Sequence, residues 1–336
     1  MTTIHDVARR LNLSITTVSR ALDGYDDVAE ETRRRVVQVA KEMGYTPNRS
    51  ARQLRRQRAE TIGYILPAST PRFNDPFYSE FIAGLGNEAS LHNFDLLVST
   101  APPGDESEKQ LYEKWVQGRK VDGLILNRTH LNDWRVLYLA EHKFPFVCLE
   151  RSQDPVDYGS IEVDGQAGML ALVEHLVAQG HTRIGYCGGS HYLSLQASRF
   201  AGYAQGLERA GLPFDPRLVT EGDMTRQAGQ LAGQSLLTMD EPPTAITCVN
   251  DLTAIGVLHA ARDLGLVVGR DLALAGFDGI EDTEHTQPPL TTLAQPLYDL
   301  ARRLVMMLLA EISGGELLER QVRIQPELLI RASTQG

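Results

Sequence analysis

Apolar positions keep helical spacing in the first forty-odd residues of this chain. Ile4, Val7, Ala8 and Leu11 stand at i, i+3, i+4 and i+7 and predict a helix with one buried stripe. After Asn12 and Leu13, Ser14 is a natural N-cap, because its hydroxyl can accept from an orphan amide of a second helix running through Leu22. Val18, Ala21 and Leu22 give that helix an apolar side, leaving Thr16, Thr17, Ser19 and Arg20 outward. A third helix is expected from Glu30 and Glu31 in its first turn, apolar Val36, Val39, Ala40 and Met43, and Gly44 as its C-terminal stop. Three short helices around a small core, the second polar on its outer side, make a helix-turn-helix unit.

From Thr61 the pattern changes. Short apolar runs alternate with amphipathic stretches: strand 61–66, helix 77–92, strand 94–99, helix 106–117, strand 122–126, helix 133–142 and strand 146–149. Phe81, Ile82, Leu85 and Ala89 form the buried face of the first of these helices. After a strand at 161–163 the rhythm restarts with helix 165–179, strand 183–186, helices 198–210 and 226–239, strand 245–249, helix 252–264 and strand 272–275. The tail reads as strand 291–294, helix 297–312 and one strand over 322–329. Two rounds of alternating strand and helix predict two doubly wound lobes with parallel sheets covered on both faces. Ligands bind such sheets beyond the carboxyl ends of the strands. The residues expected there are Asn74 to Tyr78, Asn127-Arg128, Glu150, Asn250-Asp251 and Asp278, a set of polar, fork-forming groups with two aromatics.

Charge separates the two parts. The 336 residues carry 33 Lys+Arg and 43 Asp+Glu; residues 1–60 hold 12 and 8 of these, so a +4 head precedes a body at −14. That asymmetry points the head toward nucleic acid. No apolar run approaches eighteen residues, and no basic stretch followed by an apolar core opens the chain, so neither a membrane span nor a signal peptide is expected. A cytoplasmic, nucleoid-associated location follows. Cys148, Cys187 and Cys248 match no metal spacing and read as buried small hydrophobes.

Residues 46–58 include Arg49, Arg52, Arg55, Arg56 and Arg58 and no acid. Ala51, Arg52, Gln53 and Leu54 favour helix, but a helix of ~8–10 residues is marginal alone in water. One reading is a flexible basic linker. The other is a hinge that becomes helical only when DNA and a second subunit stabilise it.

The head resembles the lactose/galactose repressor family of bacterial transcription regulators. The matching residues are Ile4-x-Asp6-Val7-Ala8, Ser14-x-x-Thr17-Val18-Ser19-Arg20-Ala21-Leu22, Val28-x-x-Glu31-Thr32-Arg33 and Gly44-Tyr45-x-Pro47-Asn48-x-x-Ala51-Arg52-x-Leu54. The resemblance implies a homodimer that reads a near-palindromic double-stranded operator, with hinge helices paired in the minor groove and Leu54 wedged between base pairs. DNA contact is expected from Thr16, Thr17, Ser19 and Arg20, and from Asn48, Arg52, Leu54 and Arg55 in the linker. It also implies a two-lobe body of the periplasmic-binding-protein type that holds an effector. By local match Arg199 looks like the family's ligand-clamping arginine and Asp278 like its pocket aspartate. Phe77 and Tyr78 align with pocket positions on the first helix of the body, and Met224 stands where an aromatic is often found. Leu193 and Leu195 stand where purine-binding members carry polar groups, which points away from a purine.

The expected architecture is therefore a helix-turn-helix domain at 1–46, a hinge at 47–60 and an effector-binding and dimerisation domain at 61–336. Lobe 1 is expected over about 61–161 and 293–320, and lobe 2 over about 162–292 and 321–336. The expected effector pocket comprises Asn74, Phe77, Tyr78, Asn127, Glu150, Arg199, Met224, Asn250, Asp251 and Asp278. Asn, Asp, Glu and Arg forks beside aromatics suit a sugar or glycoside. Dinucleotide, Walker, zinc-protease and nucleophile-elbow motifs are all lacking, and no two of the nine histidines stand at i, i+4. No cofactor, no metal and no catalysis are expected, an α/β enzyme with a fused DNA-binding head being the remote alternative. A second alternative keeps the DNA role and replaces the sugar by a protein partner such as a phosphorylated carrier. No a/d heptads follow the last strand, so a dimer is expected rather than a coiled-coil tetramer.

Overall fold

The computed structural model describes residues 2–45, 58–67, 75–315 and 319–335. The expected contacts at Asn48, Arg52, Leu54, Arg55 and Asn74, and most of the expected hinge, lie outside the described residues. The chain divides into two compact units, Met1–Ala59 and Glu60–Gly336.

In the first unit, helices α1 (Ile4–Leu11), α2 (Ile15–Leu22) and α3 (Glu30–Glu42) pack around Val7, Ala8, Val18, Ala21, Val28, Val36 and Ala40. Local sequence sets each boundary. Thr3 and Asp6 close a capping box on α1, and the Ser14 hydroxyl accepts from the Thr17 amide at 3.0 Å to start α2. Gly44 takes the left-handed conformation (φ 64°) that lets Tyr45 donate to the Ala40 carbonyl at 2.8 Å and end α3.

The second unit has two lobes. Lobe 1 is built on β1 (Thr61–Pro67), β2 (Asp95–Ala101), β3 (Gly123–Leu126), β4 (Phe146–Leu149) and β5 (Gly159–Val163), with α4 (Pro76–Leu91), α5 (Glu106–Gln117) and α6 (Trp134–Glu141) between them. Lobe 2 carries α7 (Gly165–Ala178), β6 (Ile184–Cys187), α8 (Ser194–Arg209), β7 (Val219–Thr220), α9 (Arg226–Leu237), β8 (Ala245–Cys248), α10 (Asp251–Asp263), β9 (Ala273–Asp278), α11 (Asp282–His285) and β10 (Thr291–Ala294). The chain then returns to lobe 1 as α12 (Leu297–Ser313) and β11 (Gln321–Ile324), and ends in lobe 2 with β12 (Glu327–Leu329).

The strand orders are β11-β5-β4-β3-β1-β2 and β12-β10-β9-β8-β6-β7. All pairings are parallel except β12 on β10. Alternate residues feed opposite faces, as a two-sided sheet requires. Ile62, Tyr64 and Ile125 pack under α4 and α12, while Ile65, Leu124 and Leu126 pack against Tyr112, Trp115 and Val136. Gly84 permits the α4–α12 approach, because a Cβ there would meet the Tyr298 carbonyl at 2.5 Å.

The tail differs from expectation. The run 322–329 is not one strand: Pro326 has no amide to give a ladder, and the two halves join different sheets. Residues 321–324 therefore belong to lobe 1, not to lobe 2. All of β10 pairs in lobe 2, so that crossing falls at Gln295-Pro296 rather than at 292–293.

Candidate effector cavity and DNA-reading face

The outward face of α2 is anchored within the head. Thr16 is exposed, and the Thr17 hydroxyl sits 2.8 Å from that of Ser14. Ser19 donates to Asp23 at 3.4 Å. Arg20 is forked onto Asp27 (Nε 3.1 Å, Nη2 2.5 Å), with its guanidinium carbon 4.8 Å from the Tyr25 ring centroid. The turn after α2 thus presets this guanidinium without covering it, since 43% of the side chain stays exposed. Tyr25 and Asp27 were not expected from sequence; their only signal is a polar turn just beyond the reading helix.

In the body, each strand order reverses beside the first strand of its lobe, and side chains from the strand ends meet between the lobes. They form a partly open cavity lined by Asp75, Phe77, Tyr78, Asn127, Arg128, Glu150, Arg199, Met224, Asn250 and Asp278 among the expected residues, with Leu149, Leu195 and Gln295 in addition. Four of the nine non-glycine residues with positive φ among those described line it: Arg128 (46°), Glu150 (69°), Met224 (64°) and Asp278 (121°). Strained backbone of this kind gathers where side chains must be aimed.

Arg199 is the centre of the cavity's charge. It projects from α8, donates through Nη1 to the Val249 carbonyl, and reaches Asp278 Oδ1 at 3.4 Å. Asp278 also accepts from Gln295 Nε2 at 2.7 Å. Burial pushes the Asp278 carboxyl up to about 7, against the pull of Arg199. Glu150 is likewise pushed up to about 7 by burial, with Arg199 opposing, and its Oε1 accepts from the Val163 amide at 3.3 Å. From lobe 1, Arg128 lies 4.0 Å from Asp75 and 5.7 Å over the Tyr78 ring. Asn127 is 2% exposed, and its Oδ1 is buried with no hydrogen-bond partner among the described residues. A buried acceptor left open in a cavity wall calls for a donor on whatever fills it.

Two expected residues are committed elsewhere in part or in full. Asn250 caps α10, accepting from the Thr253 amide at 3.0 Å, and its Nδ2 holds the Met224 carbonyl at 3.1 Å. Asp251 does not line the cavity. Its carboxylate takes the Gly279 and Ile280 amides at 2.7 and 3.0 Å and the Thr292 hydroxyl at 2.6 Å, which fixes the loop that aims Asp278. Leu193 packs with Met224 and Val249 and does not line this cavity, whereas Leu195 does. Gln295 was missed, and Asp75 was expected only as one of the strand-end residues Asn74 to Tyr78. The first gives only a position just after β10, and the second reads equally as the N-cap of α4.

Among the described residues no group of three or more His, Cys, Asp or Glu side chains is arranged to hold a metal ion, and no helix is long and apolar enough to cross a membrane. The three cysteines are free and buried.

Residues 3–48 match the model of bacterial regulatory proteins, lacI family, and residues 173–334 that of a periplasmic binding protein-like domain. The chain is similar to the HTH-type transcriptional repressor CytR of Escherichia coli (strain K12), 34% identical over 334 residues, covering 99% of this chain and 96% of that protein. It is 31% identical to catabolite control protein A of Priestia megaterium over 99% of both chains. Among solved structures, the lac repressor dimer bound to operator and the anti-inducer ONPF matches with a TM-score of 0.85 and 29% identity, over 100% of this chain and 99% of that one. The complex of the transcriptional regulator CelR with cellobiose matches at 0.77 and 28% identity, over 99% and 100%.

Proposed function

The chain belongs to the lacI family of bacterial regulatory proteins, and from that premise we propose that it is a repressor whose hold on operator DNA is set by a sugar or glycoside bound between its lobes. A homodimer presents two copies of α2 to the major grooves of a near-palindromic site, since two-fold protein meets two-fold DNA. Thr16, Thr17, Ser19 and Arg20 contact bases and phosphates there, with arginine on guanine as the specific pairing. Contacts at Asn48, Arg52, Leu54 and Arg55 enter this proposal on the sequence alone. The protein works beside the chromosome, in the cytoplasm, and binds its effector without transforming it.

One observation carries the effector reading. The open acceptor of Asn127, the guanidinium groups of Arg128 and Arg199 and the carboxyl groups of Glu150 and Asp278 converge beside the Phe77 ring. Such groups match a ring bearing several hydroxyls, each both donor and acceptor, with one apolar face. An effector held by both lobes shifts their equilibrium by its differential affinity for the two arrangements.

The test is calorimetric titration of the full chain with a panel of monosaccharides and glycosides, followed by operator binding with and without the best ligand. Saturable binding of one panel member, with a changed operator affinity, is expected. A chain that binds operator and no panel member, or whose operator affinity ignores the ligand, overturns the proposal.

A further inference from the structure

The chain crosses between the lobes at Asp164, at Gln295-Pro296 and at Gln325-Pro326. The first and last crossings are tied together: the Asp164 amide donates to the Ile324 carbonyl at 2.8 Å, and Gln325 Nε2 donates to Asp164 Oδ2 at 3.0 Å. The lobes also meet through backbone that is not a crossing. His130, in the β3–α6 loop of lobe 1, and Leu193, just before α8 of lobe 2, form an isolated antiparallel bridge. Leu131 donates to the Tyr192 carbonyl at 2.8 Å and Ser194 to the Thr129 carbonyl at 2.9 Å. The His130 and Tyr192 rings meet edge to face beside it, with centroids 4.8 Å apart. The effector cavity lies between crossing and bridge. Gln295, at a crossing, lines it, and so do Arg128 and Leu195, the neighbours of Thr129 and Ser194.

Each half of the bridge is stiff within its own lobe. In lobe 1 the His130 amide donates to Asp133 Oδ2 at 2.9 Å, the Thr129 hydroxyl to the Leu149 carbonyl at 2.9 Å, and the Gln153 amide to the Leu131 carbonyl at 2.8 Å. In lobe 2 the Leu193 amide donates to the Ser190 carbonyl at 3.1 Å, and the Leu193 side chain is buried with Met224 and Val249. Relative motion of the lobes therefore breaks both bridging bonds at once, and bonds between pre-ordered partners lose little to ordering. Every atom of the bridge belongs to the chain, so its hold does not depend on what fills the cavity. Leu193 also opens the helix that carries Arg199, and Thr129 follows Arg128, so the same event loosens cavity groups on both lobes.

We propose that this bridge is a latch: it holds the two lobes together by itself, and a ligand enters or leaves the cavity only after both bonds break. A ligand that touches both lobes then prolongs a closed arrangement the chain already makes.

The experiment uses the full chain carrying Met224→Cys, a position 5% exposed in the cavity wall, and follows maleimide labelling there by peptide mass spectrometry without added ligand. Labelling of the buried Cys148 serves as the clock for global unfolding. Ser194→Pro removes one bridging amide and sets a ring carbon against the Thr129 carbonyl. The helix tolerates it, because position 194 is the first of α8 and Leu193 (φ −83°, ψ 132°) has the extended backbone that a following proline requires. Ser194→Ala loses the same hydroxyl and keeps the amide. His130→Cys together with Leu193→Cys makes the opposite change, since opposed residues of this kind stand about 4.5 Å apart at Cα, within reach of a disulfide. Labelling at position 224 is expected to quicken by about tenfold in Ser194→Pro and to keep its rate in Ser194→Ala. It should slow by about tenfold once the disulfide forms and recover on reduction, with Cys148 unchanged throughout. A rate at position 224 that is equal in Ser194→Pro and Ser194→Ala, that ignores the disulfide, or that moves in step with Cys148 in every variant overturns the latch. None of these results bears on the sugar reading, which the calorimetric titration tests.

Discussion

The guanidinium carbon of Arg199 stands 3.6 Å from the ring centroid of Phe277, one residue before the carboxylate that the same arginine faces. A single strand, β9, therefore supplies both the aromatic face that flattens the cation and the counter-ion that orients it. The side chain is 6% exposed and its position is set by the fold before any ligand arrives. Pre-positioning of this kind lowers the ordering cost of binding.

Arg199→Met is expected to remove effector binding, read by calorimetry, while leaving operator binding in place but insensitive to ligand. It also leaves Asp278 and the Val249 carbonyl short of a donor. Denaturant unfolding should show a loss of about 1–3 kcal/mol, at the low end of buried-pair disruption because the Asp278 carboxyl can take up a proton instead.

Stability should fall from acid toward neutral pH through Glu150. Its folded-state pKa, about 7, is above the ordinary value of 4.5, so the folded protein holds a proton that the unfolded chain has already released. That contribution is complete below about pH 4.5 and is lost as pH rises through 7. Glu150→Gln should gain on the wild type across this window by at most roughly 3 kcal/mol. Urea titrations at pH 5, 6, 7 and 8 read the difference; a gap that is constant with pH would contradict the assignment.

A second buried charge cluster lies under the β3–α6 loop. Arg135 bridges Asp133 at 2.6 Å and Glu108 at 3.6 Å and also donates to the Arg128 carbonyl at 3.1 Å, with all three charged side chains essentially buried. Arg135→Met leaves two buried carboxyl groups unpaired and should cost about 3–5 kcal/mol in denaturant unfolding. Because the Arg128 carbonyl loses its donor, effector affinity should fall as well.

In the head, Arg20→Ala should weaken discrimination between operator and mismatched DNA by about 1–3 kcal/mol. Its ion pair with Asp27 is half-exposed, so thermal unfolding should change by less than about 1 kcal/mol. Asp27→Asn tests the presetting of that guanidinium: binding to mismatched DNA should hold while discrimination drops. Fluorescence anisotropy with matched and mismatched duplexes measures both.

Much of this was legible in the chain. Helices at 106–117 and strands at 146–149 and 291–294 fall where apolar spacing puts them, because their buried faces have no competing pattern. Other boundaries moved for local reasons. Helix α8 begins at Ser194, four residues before the expected start at 198, where the lobe-bridging backbone at Leu193 leads into its first turn. The Pro326 break was present in the sequence, yet a period-two pattern on both sides of it masked the change of sheet. The cavity's main polar groups follow from a general rule about strand ends, which finds Asn127, Glu150 and Asp278 without knowing their partners. That rule cannot tell Asp278, aimed into the cavity, from Asp251, turned onto a loop, since both follow strands and both are acidic. Only the hydrogen bonds of Gly279, Ile280 and Thr292 separate them.

The threading of the chain bears on how the body is made. Lobe 1 receives α12 and β11, and lobe 2 receives β12, only from residues beyond 296. During synthesis both lobes therefore stay open along one sheet edge, with the apolar face that α12 covers still bare, until residues 297–329 have left the ribosome. The two lobes cannot mature one after the other as beads on a string; they close together, once those residues are made.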